Sequence, residues 1–252
     1  MKKLQFILIL LIGFWGFSQN ETLFEEGNKA YNDGAYKEAA KNYLQILENG
    51  EHSAELYYNL GNVYYKLNEI APSIYYYEKA LLLNPGDTEI SNNMAYAKNM
   101  TLDAIKVMPE TGLTKIYKSA TSYFSFEEWA YVSVALMSLF VLCYLLYYFL
   151  SYATHKRIAF VTGILCLLVA FITIGIAYSK YKIFSSDQPA IIFDKEVIVK
   201  SEPNTTSSET FRLHEGTKVF ILDHLGEWKK IKIADGKTGW LTEKSIKQLK
   251  DF

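Results

Sequence analysis

Asparagine and an aromatic residue keep returning together in this chain: Phe24, Asn28 and Tyr31; Tyr58, Asn59, Asn62 and Tyr65; Asn92 and Tyr96. A carboxamide offers both donors and an acceptor, and a phenol adds a hydroxyl to an aromatic face. Such a set can bind through hydrogen bonds and ring faces; it does not cut bonds. Residues for covalent chemistry are sparse. Of the four histidines, His214 opens HEGTK, which lacks the second histidine of a zinc-binding HExxH, and it makes a poor metal site with His224 alone. His52 and His155 have no partners in sequence. Both cysteines, Cys143 and Cys166, sit inside long apolar runs, and no phosphate-binding glycine loop occurs. The expectation is a protein without catalytic residues, metal or cofactor. With 26 basic and 27 acidic side chains the net charge is −1, which gives no electrostatic case for nucleic acid.

The elements that carry the Asn and Tyr residues follow from a repeat. In AELYYNLGNVYYKLNEIAPSIYYYEKALLLNPGD, residues 54–87, Leu60, Gly61, Tyr64, Tyr77, Ala80 and Pro85 fall at the spacings of a tetratricopeptide (TPR) repeat. Gly27, Ala39 and Tyr43 precede Gly61, Ser73 and Tyr77 by 34 residues. The resemblance to the TPR family implies an all-α helical repeat of units 20–53 and 54–87. A capping helix is expected over 88–108, with Ala95 where Gly61 stood. In that family glycine lets paired helices approach and aromatic residues fill the space between them. Pro85 ends its helix. Polypeptides bind along the inner face of the first helices, and by phase that face carries the nine residues above. Asn28 and Asn59 match two asparagine positions of the family's carboxylate clamp, but Phe24, Glu89 and Asn93 stand where its basic residues belong. A neutral polypeptide is therefore expected, not a C-terminal carboxylate. For each tyrosine, packing is the alternative. Stability of such a repeat usually needs about three units. The membrane hairpin or a partner is expected to complete this one.

Three apolar runs place the repeat. Lys2 and Lys3 precede Leu4–Phe17, which is short for a span of about 20 residues, and Gly16 and Ser18 stand at −3 and −1 of a cut before Gln19. Residues 1–18 read as a signal peptide, with an uncleaved anchor as the alternative. Residues 129–150 and 158–178 carry no charge and are each long enough to cross a membrane. Trp129, Tyr131, Tyr152 and Tyr178 lie near their ends, as interfacial anchors do. The signal sends 19–128 out of the cytoplasm. Residues 151–157, with Lys156 and Arg157, then form a cytoplasmic loop, and Glu127 and Glu128 lie on the opposite side. Lys180 and Lys182, outside, disagree with that rule. Ala159, Gly163, Cys166, Ala170, Thr173 and Ala177 make a small-residue stripe, read as packing within the hairpin ahead of a site for another subunit. Residues 109–128 are a linker or a short interfacial helix with Ile116 and Tyr123 on its apolar face.

From 185 to 252 the texture is β: short runs rich in Val and Ile, split by Gly and Asp. Five strands are expected, in a small all-β barrel. Val197 to Pro203, Leu213 to Val219, Gly226 to Ile231 and Gly236 to Leu241 resemble the motifs of bacterial SH3-like (SH3b) domains. Trp228 and Trp240 either line a groove or pack in the core, and the core is expected for at least one. The whole order is then a multi-domain membrane protein: TPR repeat, two-helix transmembrane hairpin, SH3-like barrel. Together with Lys106–Glu110 and the closing HEGTKV, LGEWKKI and ADGKTGW stretches, it resembles the BatE family of Bat aerotolerance operons. That resemblance implies a non-enzymatic inner-membrane subunit linked to envelope integrity or stress tolerance, with TPR and SH3b parts periplasmic. Its implied partners are membrane proteins with von Willebrand A domains and, indirectly, a MoxR-type ATPase. Peptidoglycan is the partner under an alternative reading, a wall-binding sensor.

Overall fold

The computed structural model of the 252-residue chain describes residues 19–105, 112–121 and 123–250. The expected signal peptide and the Lys106–Glu110 link lie outside them. Two compact units result: the N-terminal helices together with the sheet that begins after Gln188, and residues 109–187.

The first unit opens with α1 over 19–32, then α2 (Tyr36–Glu48), α3 (Ala54–Lys66), α4 (Ile70–Leu83) and α5 (Thr88–Lys98). Ser53 caps α3 by accepting from the Leu56 N–H, and Asp87 caps α5 through the N–H groups of Glu89 and Ile90. These donors have no partner within their own helix. The helices pair where glycine removes a side chain. A Cβ on Gly27 would stand 2.5 Å from the Tyr43 ring, and one on Gly61 would stand 2.5 Å from the Tyr77 ring. The contact recurs 34 residues on, which is what makes the two pairs a TPR-like repeat. Helix α5 stops at Lys98, and residues 99–105 continue without helix.

The sheet holds β1 (Pro189–Ile192), β2 (Glu196–Lys200), β3 (Glu209–His214), β4 (Lys218–Leu225), β5 (Trp228–Lys232), β6 (Thr238–Thr242) and β7 (Ile246–Gln248). Its order is β3-β2-β6-β5-β4-β1-β7, with β3 and β7 as the edges and antiparallel pairing throughout. That is seven strands, not the expected five. Ala190, Val199, Leu213, Val219, Ile231 and Leu241 meet in one core, so the strands wrap a common interior.

Within this unit the sheet packs against the short solenoid. Strand β1 is buried along its whole length because it fills two cores. Ala190 and Ile192 join the sheet interior, while Ile191 joins Ile74, Tyr75, Ala97 and Leu249 among the helices. Burial of Ile191 and Leu249 is complete, and each contributes about 1.5–3 kcal/mol. Gly216 (φ 84°) turns here, and a Cβ on it would come within 2.9 Å of Ile74. Two polar clusters lock the contact. Buried Glu78 on α4 is 3.1 Å from Lys98 Nζ and 2.6 Å from Lys218 Nζ on β4. Asp103 accepts from the His214 N–H at 2.7 Å and from Thr217 Oγ1 at 2.6 Å, and its other oxygen is 2.7 Å from His214 Nδ1. His214 is thus a structural hook.

The second unit holds α6 (Gly112–Thr121), α7 (Phe126–Phe149) and α8 (Ala153–Ser186). The last two are long and apolar enough to cross a membrane. Ala159, Gly163, Cys166, Ala170 and Thr173 are the buried side of α8, so the small-residue stripe packs within the hairpin. A Cβ on Gly163 would meet Cys143 at 3.3 Å, and Ser133 Oγ donates to Thr173 Oγ1 at 2.9 Å. Such close backbones and hydroxyl bonds hold helices together where lipid offers no hydrophobic drive. Helix α7 starts in a capping box of Ser125 and Glu128. Lys180 donates to the carbonyls of Thr121 and Phe124. It thereby closes the end of α6.

Candidate protein-binding cleft

The repeat places its Asn and Tyr side chains in a network that is itself periodic. Tyr43 Oη donates to Asn28 Oδ1 at 2.6 Å, and Tyr77 Oη donates to Asn62 Oδ1 at 2.6 Å. The next inner helix supplies a second donor to each: Asn59 Nδ2 to Asn28 Oδ1 at 3.3 Å, and Asn93 Nδ2 to Asn62 Oδ1 at 3.0 Å. Each asparagine is thereby oriented from behind by a phenol and from the side by an amide. Tyr58 Oη receives a second bond from Asn93 Nδ2 at 2.8 Å and donates to Glu89 Oε1 at 2.6 Å.

Above this network lies a cleft of about 310 Å³ lined by Asn28, Tyr31, Asn32, Tyr43, Asn59 and Asn62. Asn59 also lines a neighbouring cleft of about 360 Å³ with Tyr58, Glu55, Asp87 and Glu89. Glu55 in turn lines a third, of about 340 Å³, with Phe24, Glu21 and Glu51. The three form a series along α1, α3 and α5. The sheet docks on α4, so the series stays open.

Of the nine residues expected on the inner face, Asn28, Tyr31, Asn59 and Asn62 share the central cleft. Tyr58 and Phe24 line its neighbours, with the Phe24 ring 5.7 Å from Tyr43. Tyr65 packs half-buried against the α4 core. Asn92 and Tyr96 are exposed on α5, Tyr96 at 62%, and line none of the three clefts. Asn32 and Tyr43 line the central cleft without having been expected there. Asn32 lies one helical turn beyond Asn28, so the same phase that picked Asn28 points to it.

The phenols are held neutral. Burial, then neighbouring Tyr31 and Glu55, pushes Tyr43 up to about 12. Burial, then its bond to Glu89, does the same for Tyr58, also to about 12. They are therefore donors at any physiological pH.

Trp228 and Trp240 are both half-buried, and the core-packing expectation fails for each. Lys230 faces Trp240 across β5–β6, and Trp228 lies two residues from Lys230. The alternation of a strand puts all three opposite the buried Ile231 and Leu241. Lys230 Nζ stands 5.9 Å from the Trp240 ring centre.

With this geometry in place, comparison with known families gives two matches. Residues 54–87 match the tetratricopeptide repeat model, and residues 195–247 match that of the bacterial SH3 domain. No curated protein matches the chain. Both matched modules are of kinds that bind other molecules.

Proposed function

We propose that this chain is a non-enzymatic inner-membrane adaptor whose exported cleft holds a polypeptide segment of a partner protein. The observation that carries the reading is the cleft's set of oriented amides. Asn28 and Asn62 spend their carbonyl oxygens on internal donors, which leaves their N–H groups toward the cleft; Asn59 spends an N–H. Donors and acceptors fixed before binding suit a main chain, and pre-ordering lowers the entropy cost of binding it.

Topology supports the placement. The helices before the hairpin and the sheet after it are packed as one unit, so the chain between them leaves and returns on the same side. Two crossings, by α7 and α8, satisfy this. A signal at 1–18 makes that side the periplasm. The order of modules, with its resemblance to the BatE family, points to a Bat-type envelope or stress-tolerance assembly and to von Willebrand A domain proteins as partners. The stretch 151–157 between the apolar runs is short and its last five residues already belong to α8, so a MoxR-type ATPase is in contact through another subunit.

A second reading has its own observation. Trp228 and Trp240 face outward with Lys230 between them, a surface suited to peptidoglycan stem peptides. One experiment separates the two. The tagged full chain is purified from its native membrane as wild type, Asn32→Arg, or Trp228→Ala with Trp240→Ala. Asn32 is exposed and outside the hydrogen-bond network, so the arginine crowds the cleft without breaking the fold. The adaptor reading expects Asn32→Arg to lose the co-purifying partner and the tryptophan variant to keep it. The reverse pattern favours the wall-binding reading.

A further inference from the structure

The cleft's inner wall is made of neutral amides and phenols, but its surroundings carry one sign of charge. Glu21, Glu51 and Glu55 line one flanking cleft, and Glu55, Asp87 and Glu89 line the other. Among the described residues, no lysine, arginine or histidine lines any of the three. The partners these carboxylates have are neutral. Asn20 Nδ2 donates to Glu51 at 2.5 Å, Tyr58 to Glu89 at 2.6 Å, and Asp87 caps α5. The field extends beyond the rim, since residues 19–105 hold 13 Asp and Glu against 6 Lys and no Arg. The phenols inside register it, because Glu55 and Glu89 are among the causes that raise Tyr43 and Tyr58. A concave, one-signed surface concentrates ligands of opposite charge. The half-buried rings of Tyr31 and Tyr58 add faces on which an alkylammonium or guanidinium sits favourably.

We propose that the cleft takes an extended segment of a partner protein bearing lysine or arginine side chains, its main chain on the asparagine amides and its cations on Glu21, Glu55 and Glu89. This rests on the adaptor reading and replaces the neutral polypeptide expected from the Asn and Tyr residues alone. It is also the opposite charge preference to a carboxylate clamp, in keeping with Phe24, Glu89 and Asn93 at the clamp's basic positions.

The test is binding of the purified full chain, in detergent, to a randomised array of twelve-residue peptides. Three proteins are compared: wild type, Glu21→Gln with Glu55→Gln, and Asn59→Ala. The proposal expects Lys and Arg enriched over Asp and Glu by about tenfold among bound peptides. It expects that preference to collapse in the glutamine variant. It also expects binding to weaken as salt rises from about 0.1 M to about 1 M, where the Debye length falls from about 10 Å to about 3 Å. Binding that depends on Asn59 but shows no charge preference, or an acidic one, overturns the proposal and leaves the cleft as a polypeptide site. Binding by none of the peptides, or binding indifferent to Asn59→Ala, overturns the adaptor reading with it. Self-association of the wild type that is lost in the glutamine variant assigns the cleft to a second copy and also overturns the proposal.

Discussion

At the scale of the residue, the most consequential side chain is Glu78. Burial alone pushes its carboxyl up, but Lys218 and Lys98 outweigh burial and hold it below the usual carboxylate range. Asp103 behaves alike: burial pushes it up, and the bonds from Thr217 and His214 bring it down. Both groups are depressed, so the stability they add is complete above the unfolded carboxylate pKa of about 4. It is lost as pH falls through their lower folded values. The two lysines are 44% and 34% exposed, so water screens each pair, and removing one lysine costs about 0–1 kcal/mol. Removing both strands a charge in the interior, which costs about 3–5 kcal/mol. Denaturant unfolding of the full chain in detergent should therefore show Lys98→Met with Lys218→Met far worse than the sum of the singles at pH 7. The gap should narrow as pH falls, because without the lysines burial alone favours the protonated carboxyl of Glu78. Additive losses with no pH dependence would mean the lysines act only by packing.

At the scale of the element, helix pairing rests on glycine against tyrosine. Gly61→Ala forces a methyl into the Tyr77 ring, whose hydroxyl is tied to Asn62. Overpacking of this kind costs about 1–3 kcal/mol, and it displaces the phenol that orients Asn62. A lowered thermal midpoint is expected, and an unchanged one would show that the ring swings aside freely. This pairing was legible in the sequence because Gly27 with Tyr43 and Gly61 with Tyr77 share a 34-residue offset. Asn28 and Asn62 were legible as well, though their internal bonds to Tyr43 and Tyr77 were not. Strand β1 was hidden by its double burial: Pro189–Ile192 fills two cores and shows none of the alternation that marks a half-buried strand. Strand β7 has only three residues. Trp228 and Trp240 misled because large aromatics usually pack inward, whereas their register with Lys230 sets them on the outer face.

At the scale of the molecule, the contact between solenoid and sheet was the least legible feature. It joins residues more than a hundred positions apart, as in Asp103 with His214 and Glu78 with Lys218. Its charges look like ordinary surface until both halves are in place. Its consequence is large. The sheet covers α4 and leaves the clefts of the inner helices uncovered. The central claim is that the open cleft holds a partner. It is tested most directly by placing a photo-reactive phenylalanine analogue at Tyr31 in the cleft, or at Ile198 on the outer face of β2, and irradiating intact native membranes. The account predicts one discrete cross-linked product with a membrane protein from position 31 and none from position 198. A product from 198 alone, or none from 31, would contradict it.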